Sequence, residues 1–241
     1  MIFVSKENKD SEERKYTSFY RHVARFYEEK FRGSDKAQME IEELTKILKK
    51  GNVLDAGCGT GRHSVYLAMH GFDVTGIDIS LDMLNEAEKK TRNLDEKIKF
   101  LHSDICSTTF PDKCFDNIIC MYSVFSELTA NDQTLCMEEF NRILKDDGVL
   151  VIEVPNRIVF ESLGSRLKAL GFEQIDGLGN FKLHVSINGK NYDLRTHLFS
   201  AHEIESIVKE NGFKIDSLFG ENFTSFSSNT SKNIILVCRK F

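Results

Sequence analysis

The segment Val53 to Gly61, VLDAGCGTG, carries a short apolar run into glycines at positions 57, 59 and 61, and then into a helical pattern. A buried strand that turns through glycines into a helix N-terminus lets backbone N–H groups approach a ligand closely. Glycine spacing alone is a weak signal, because dinucleotide sites and ordinary tight turns both use it. Asp55 sharpens the reading: a carboxylate at the strand end just ahead of Gly57 would repel a pyrophosphate and attract a cationic group. Asp78 ends the apolar run FDVTGID, 17 residues after Gly61, with Ile79 behind it. An acid there can accept hydrogen bonds from two ribose hydroxyls. Asp104 and Ile105, in HSDIC, follow a third apolar run and offer an acceptor and an apolar surface to an adenine ring.

A second group follows the fourth apolar run, in CMYSVFSEL. Met121 ends that strand on the ligand side, and Tyr122, Ser123, Phe125 and Glu127 come next, although Tyr122 and Phe125 suit plain packing equally well. If the chemistry needs a proton acceptor, Tyr122, Glu127 and the more distant His197 are the candidate catalytic groups. Cys58 lies inside the glycine loop without a base or partner cysteine, so it reads as a structural thiol beside the ligand. The six cysteines have no spacing suited to zinc or dithiol chemistry, and no metal site is expected.

The elements that must position these residues are legible from Gly51 onward, where short apolar runs alternate with amphipathic helices as in a parallel sheet with crossovers. Strands are expected at Asn52–Ala56, Phe72–Ile77, Lys97–Leu101, Phe115–Met121 and Gly148–Val154. Helices are expected at about Thr60–His70, Leu81–Arg92 and Asn131–Lys145. Past Pro155 a helix to about Leu170 precedes two β-rich runs, Phe181–Ile187 and Lys190–Phe199, joined by an Asn188-Gly189 hairpin signal. His184, Tyr192, Arg195 and His197 in this insertion read first as solvated hairpin positions. Ser200 with Glu203 predicts a capping box, and strands Phe213–Phe219 and Asn233–Arg239 close the chain. Upstream, residues 1–15 read as a flexible arm and 16–50 as a helical cap. Its first helix carries Tyr16, Tyr20 and Tyr27 on an aromatic face, favoured as core, and ends at Gly33. The second carries Ala37, Ile41, Leu44 and Leu48, with Ser34 or Asp35 as its cap.

A formal net charge of −5 disfavours nucleic acid as a partner. The absence of a long apolar run argues against a membrane span, and the short apolar start against a secretory signal. The expectation is one cytoplasmic domain over residues 1–241, with oligomeric state open.

Together, in this order and on successive strand ends, these markers resemble the class I S-adenosylmethionine (AdoMet)-dependent methyltransferases, most of all those acting on small molecules. AdoMet carries an ammonium and a sulfonium and no phosphate, which suits Asp55. The resemblance implies an α/β, doubly wound, mostly parallel seven-stranded sheet of order 3-2-1-4-5-7-6, with N-terminal helices and a β-hairpin insertion. It implies that Asp55 sits near the methionine part, that Gly57, Gly59 and Gly61 pass the ligand, that Asp78 holds the ribose and that Asp104 meets the adenine. Residues 156–199 would be a substrate-covering insertion, and a methyl group would pass to a small-molecule O, N or C acceptor. The motifs of base-amine and cytosine-carbon methyltransferases are absent. An RNA or protein methyltransferase, an NAD-binding oxidoreductase and a non-catalytic AdoMet-binding module are the alternatives.

Overall fold

The computed structural model describes residues 16–25, 27, 34–92 and 98–241. The expected flexible arm, the end of the first helix at Gly33 and Lys97 lie outside them. Residues 16–25 are helical (α1), followed by α2 (Ser34–Ile47), β1 (Asn52–Ala56), α3 (Arg62–Met69), β2 (Asp73–Asp78), α4 (Leu81–Thr91), β3 (Ile98–His102), β4 (Phe115–Cys120), α5 (Ala130–Ile143) and β5 (Leu144–Pro155). An elaboration comes next: α6 (Arg157–Ser162), α7 (Ser165–Ala169), β6 (Phe172–Gln174), β7 (Asn180–Ile187) and β8 (Lys190–His197). The chain then returns through α8 (Ala201–Glu210), β9 (Phe213–Phe219) and β10 (Asn233–Lys240).

The main sheet has the order β3-β2-β1-β4-β5-β10-β9, parallel except where β10 runs antiparallel to both neighbours. With the elaboration left out of the count, this is the expected 3-2-1-4-5-7-6. Central strands are apolar in consecutive positions because both faces are covered. Val53 and Ile119 pack with Leu44 and Leu67 of α2 and α3, while the adjacent Leu54 and Ile118 pack with Phe140 and Ile204 of α5 and α8. The period of two thus sends alternate residues of one strand into opposite cores.

Three local expectations change. Helix α5 stops at Ile143 rather than Lys145, because Leu144 is already extended (φ −77°, ψ 136°) and pairs with Phe115. Strand β5 therefore begins four residues before Gly148. The single helix expected up to Leu170 splits into α6 and α7 at Gly164, whose φ is +51°. The insertion is also more than a hairpin: β6 adds a third strand to β7 and β8. The turn itself has Asn188 at φ +50° and Gly189 at +76°, as a type I′ hairpin requires, and the Ser200–Glu203 capping box is formed.

This small sheet and α1 lean on each other. Tyr16, Phe19, Val23 and Ala24 pack with Leu194 of β8 and Met83 of α4, and Phe19 meets Tyr192 edge-on at 5.5 Å. The Tyr16 hydroxyl donates to the Arg195 carbonyl. Among the described residues no helix is long and apolar enough to cross a membrane.

Candidate functional site

The parallel strands end in a cavity of about 290 Å³, close to the lower bound of roughly 300 Å³ for small-molecule sites. Crevices at strand carboxyl ends are where doubly wound sheets place ligands.

The glycine loop forms the floor. The N–H groups of Gly57 and Cys58 both donate to the Ile77 carbonyl, at 2.8 and 2.9 Å, which ties the loop to β2. Gly57 has φ +76°, and a Cβ there would stand 2.6 Å from Val124 Cγ1; Gly61 has φ +75°, with Phe100 Cζ at 2.7 Å. These two glycines are needed for backbone conformation and close packing. Gly59 also has positive φ, +52°, but a Cβ there meets nothing within 4 Å. As Gly59 lines the cavity, its backbone is open to a ligand, and this cradle fits a nucleoside-like group.

The acids stand around the floor. Asp55 is 2 % exposed and accepts a 2.6 Å hydrogen bond from Ser64 Oγ. Burial raises its pKa, and the nearby His63 charge and the Ser64 bond offset only part of that. Asp78 Oδ2 accepts from the Gly59 N–H at 2.9 Å and Oδ1 from the Ser80 N–H at 2.8 Å, so the loop orients the carboxylate. Burial raises this acid as well, and repulsion from Asp55 adds to it. Two buried acids held above their ordinary range gain from a cationic ligand. Asp104 Oδ1 accepts from the Cys106 N–H at 2.8 Å. Asp104, Ile105, Ile79 and Met121 all line the cavity, as do Asp55, Gly57, Cys58, Gly59 and Asp78. Gly61 is the one predicted cofactor residue outside this lining; it turns the chain into α3 instead. The Cys58 thiol is pushed well up by burial and then by Asp55, which keeps it a thiol.

Past β4, Tyr122 and Ser123 take φ of +54° and +63° in succession. Such backbone costs roughly 1–2 kcal/mol per residue and persists where surroundings hold it. Here Glu153 Oε2 accepts the Tyr122 N–H at 2.8 Å, and the Ser123 carbonyl accepts from Ser126. The turn aims Glu127 into the cavity, where its Oε1 accepts a 2.5 Å bond from the Tyr20 hydroxyl. Burial pushes the Glu127 carboxyl up to about 8, the Tyr20 bond opposes this and Asp78 reinforces it.

Some placements depart from the sequence reading. Tyr16, Tyr20 and Tyr27, favoured as core, pack against neighbours and also form a cavity wall. Arg195 lines the cavity, where its carbonyl accepts from Tyr16, while its guanidinium donates to Asn180. His197 is 8 % exposed and outside the cavity lining, bonded to Glu203 and Asn180. His184 is exposed, between Asp193 and Glu173, as a hairpin position should be.

Sequence reading missed a buried polar cluster at the far end of the cavity. His63 Nε2 lies 3.9 Å from Glu40 Oε1 without a hydrogen-bond partner, and the Tyr122 hydroxyl donates to Glu40 Oε2 at 3.1 Å. Burial opposes charge on both members of the pair. Their mutual attraction outweighs it, lowering Glu40 and raising His63. Arg62 stands over the Tyr122 ring at 5.4 Å. Glu40 and His63 sit on separate helices, so no spacing rule pairs them.

A family model described as a methyltransferase domain matches residues 53–148, from β1 into β5. An uncharacterized protein of Methanocaldococcus jannaschii is 28 % identical, with 86 % of this chain and 79 % of that protein covered. Glycine/sarcosine N-methyltransferase of Aphanothece halophytica is 27 % identical over 85 % and 83 % of the two chains. In fold, the chain is similar to an S-adenosylmethionine-dependent methyltransferase from Clostridium acetobutylicum, with TM-score 0.69, 19 % identity and 93 % and 98 % coverage. The glycine loop, the ordered acids, the strand order and these matches agree: residues 53–148 match a methyltransferase domain, and the chain is similar in fold to an S-adenosylmethionine-dependent methyltransferase.

Proposed function

We propose that the chain transfers the methyl group of AdoMet to a small-molecule acceptor, on oxygen, nitrogen or carbon. One observation carries this reading: a single cavity is floored by the glycine loop with Asp55, Asp78 and Asp104, and walled on the other side by Tyr16, Tyr20, Tyr27, Glu127 and Arg195. The first group suits an adenosyl ligand with a cationic end; the second suits a second, small molecule. The acidic balance of the chain disfavours a nucleic-acid acceptor, in keeping with a small molecule. The name of the glycine/sarcosine relative supports small-molecule acceptors.

In this reading Asp55 attracts the methionine ammonium, and Asp78, already fixed by two backbone N–H groups, accepts from the ribose hydroxyls. Asp104 and Ile105 meet the adenine, Gly57, Gly59 and Gly61 shape the passage, and Cys58, Ile79 and Met121 supply contact surface. AdoMet, when bound, supplies an already activated methyl group. The chain has then to align the acceptor and exclude water, which Tyr16, Tyr20 and Tyr27 and the small sheet do as covers. Where the acceptor carries a proton, Glu127 Oε2 takes it; Tyr122, bonded to Glu40, is the weaker base. His197 acts at a distance from the chemistry. Six unpaired cysteines, five of them buried, suit a reducing, cytoplasmic setting.

Thermal melts with saturating AdoMet, S-adenosylhomocysteine or NAD test the reading. Ligand at about 100 times its Kd stabilises by about 2.7 kcal/mol, so both adenosyl-sulfur ligands should raise Tm by several degrees and NAD should not. A shift with NAD alone, or with none, would overturn it.

A further inference from the structure

Beneath the three-stranded sheet lies a second chamber of about 220 Å³. Alternation along β8 sets which side chains face it. Thr196 Oγ1 lies 3.3 Å from Ser126 Oγ, on the turn after β4, so Thr196 and Leu194 share the inner face. Arg195 and His197 point to the other face, where both meet Asn180 Oδ1. Leu183 is the cross-strand partner of Leu194, and Phe160, Phe172 and Leu198 pack together at the far end. All five apolar side chains line the chamber.

The chamber and the first cavity have Tyr16, Glu127 and the backbone of Arg195 in common, so the two spaces meet there. The polar groups at this junction are mostly acceptors. The Tyr16 hydroxyl donates its proton to the Arg195 carbonyl, and the Tyr20 hydroxyl donates its own to Glu127 Oε1 at 2.5 Å. Among the described residues Glu127 Oε2 has no hydrogen-bond partner. With both phenol protons committed, the junction presents a carboxylate oxygen and phenol lone pairs to a ligand. The Tyr16 and Tyr20 rings stack beside it, with centroids 6.4 Å apart and 22° between their planes, and Asp78 adds negative potential at Glu127. Acceptors beside aromatic rings attract a cation that carries N–H groups, and they offer no donor to a carboxylate or phosphate.

We propose that the methyl acceptor is a primary or secondary amine with an apolar tail, its nitrogen held by Glu127 Oε2 at the junction and its tail in the chamber. The inference rests on the methyltransferase reading of the adjoining cavity. The Glu127 carboxylate takes one proton from the incoming ammonium, which leaves the nitrogen with a lone pair and the carboxyl neutral. Burial, which pushes Glu127 up to about 8, brings it closer to an alkylammonium than an ordinary carboxylate, and this favours the transfer. The lone pair then forms the N–C bond as the C–S bond of the donor breaks, with that bond's electron pair going to sulfur and the positive charge to nitrogen. A small zwitterion such as sarcosine would leave the chamber uncovered and bring a carboxylate to acceptors. That separates this acceptor from the one named for the glycine/sarcosine relative. Glu127 is then a catalytic residue, and Leu183 and Leu194 set the specificity for the tail.

The test is calorimetric titration of the full chain, saturated with S-adenosylhomocysteine, using hexylamine, 3-phenylpropylamine, hexanol, hexanoate and sarcosine. At least one of the two apolar amines should bind saturably, and roughly ten times more tightly than the alcohol, the acid or sarcosine, as expected for one charge-assisted hydrogen bond. Glu127→Gln should bring that amine down to the level of hexanol. Leu183→Trp, which fills the chamber, should weaken amine and alcohol together. With AdoMet in place, mass spectrometry should show a methyl group added to that amine and none to hexanol or hexanoate. Tighter binding or methylation of the alcohol or the acid, no binding or no methylation of either apolar amine, or unchanged amine affinity in Glu127→Gln would overturn the proposal. So would a Glu127→Gln variant that loses AdoMet but keeps S-adenosylhomocysteine, because the carboxylate would then serve the sulfonium. If that variant does not fold, the wild-type ranking of amine, alcohol and acid decides alone. Failure of S-adenosylhomocysteine itself to bind would sink the methyltransferase reading, whereas its binding without preference for an amine sinks only this inference.

Discussion

The two walls of the cavity are built by different means. The floor is held by backbone: glycine N–H groups bond to Ile77 and Asp78, and Asp55 and Asp78 stand at the ends of the adjacent strands β1 and β2. The opposite wall is held by side chains from α1, the turn after β4 and the small sheet, meeting across more than 100 residues of sequence, as Tyr20 meets Glu127 and Tyr16 meets the Arg195 carbonyl. A backbone-built wall tolerates little change in shape but presents the same geometry to any ligand with the right outline. A side-chain wall can be re-lined without moving the sheet. Such a division lets the fold keep one methyl donor while varying what receives the methyl group.

The floor should break first. Gly57→Ala combines positive-φ strain with a Cβ 2.6 Å from Val124, and should cost roughly 2–4 kcal/mol of stability and abolish S-adenosylhomocysteine binding. Gly59→Ala, with open space around its Cβ, should lose only about 1 kcal/mol while still weakening the ligand. Denaturant melts and titrations on the two variants separate packing from ligand approach, and equal destabilisation would contradict the distinction.

The opposite wall should respond to pH. A carboxyl raised in the folded state favours folding while it is protonated. That contribution is complete below the unfolded value near 4.5 and is lost as pH rises through the folded value of about 8 for Glu127 and about 7 for Glu153. Stability should therefore fall between pH 6 and pH 9. Glu127→Gln, which stays neutral, should recover about 1–3 kcal/mol of that fall, with Glu153 supplying the remainder. Urea melts at the two pH values measure it, and an unchanged pH slope in the variant would remove Glu127 from the account. The smallest effect is expected outside both walls: Ser200→Ala removes the α8 cap and should cost about 1 kcal/mol without changing S-adenosylhomocysteine affinity.

The same contrast explains what the sequence revealed. Asp55, Asp78 and Asp104 are readable because each closes an apolar strand, and strand ends in a parallel sheet lie together. The aromatic periodicity of α1 showed a face but not what it faces, so Tyr16, Tyr20 and Tyr27 looked like core. Arg195 and His197 sit on one strand of a hairpin, and period-two alternation cannot say which side a separate small sheet buries until α1 packs on it. Strand β6 is only three residues, Phe172–Gln174, too short for a periodic signal. Helix α5 passes into β5 at Leu144 without a glycine stop. Its early end follows from pairing with Phe115, a contact 29 residues away.

The central claim is that the floor recognises an adenosyl ligand through oriented carboxylates, and Asp78 tests it most directly. Calorimetric titration of S-adenosylhomocysteine should give one site per chain in the wild type. In Asp78→Asn, which keeps shape but loses charge and acceptor capacity, affinity should be roughly 10–100-fold weaker. Wild-type binding that persists unchanged in Asp78→Asn, or no binding in either, would contradict the account.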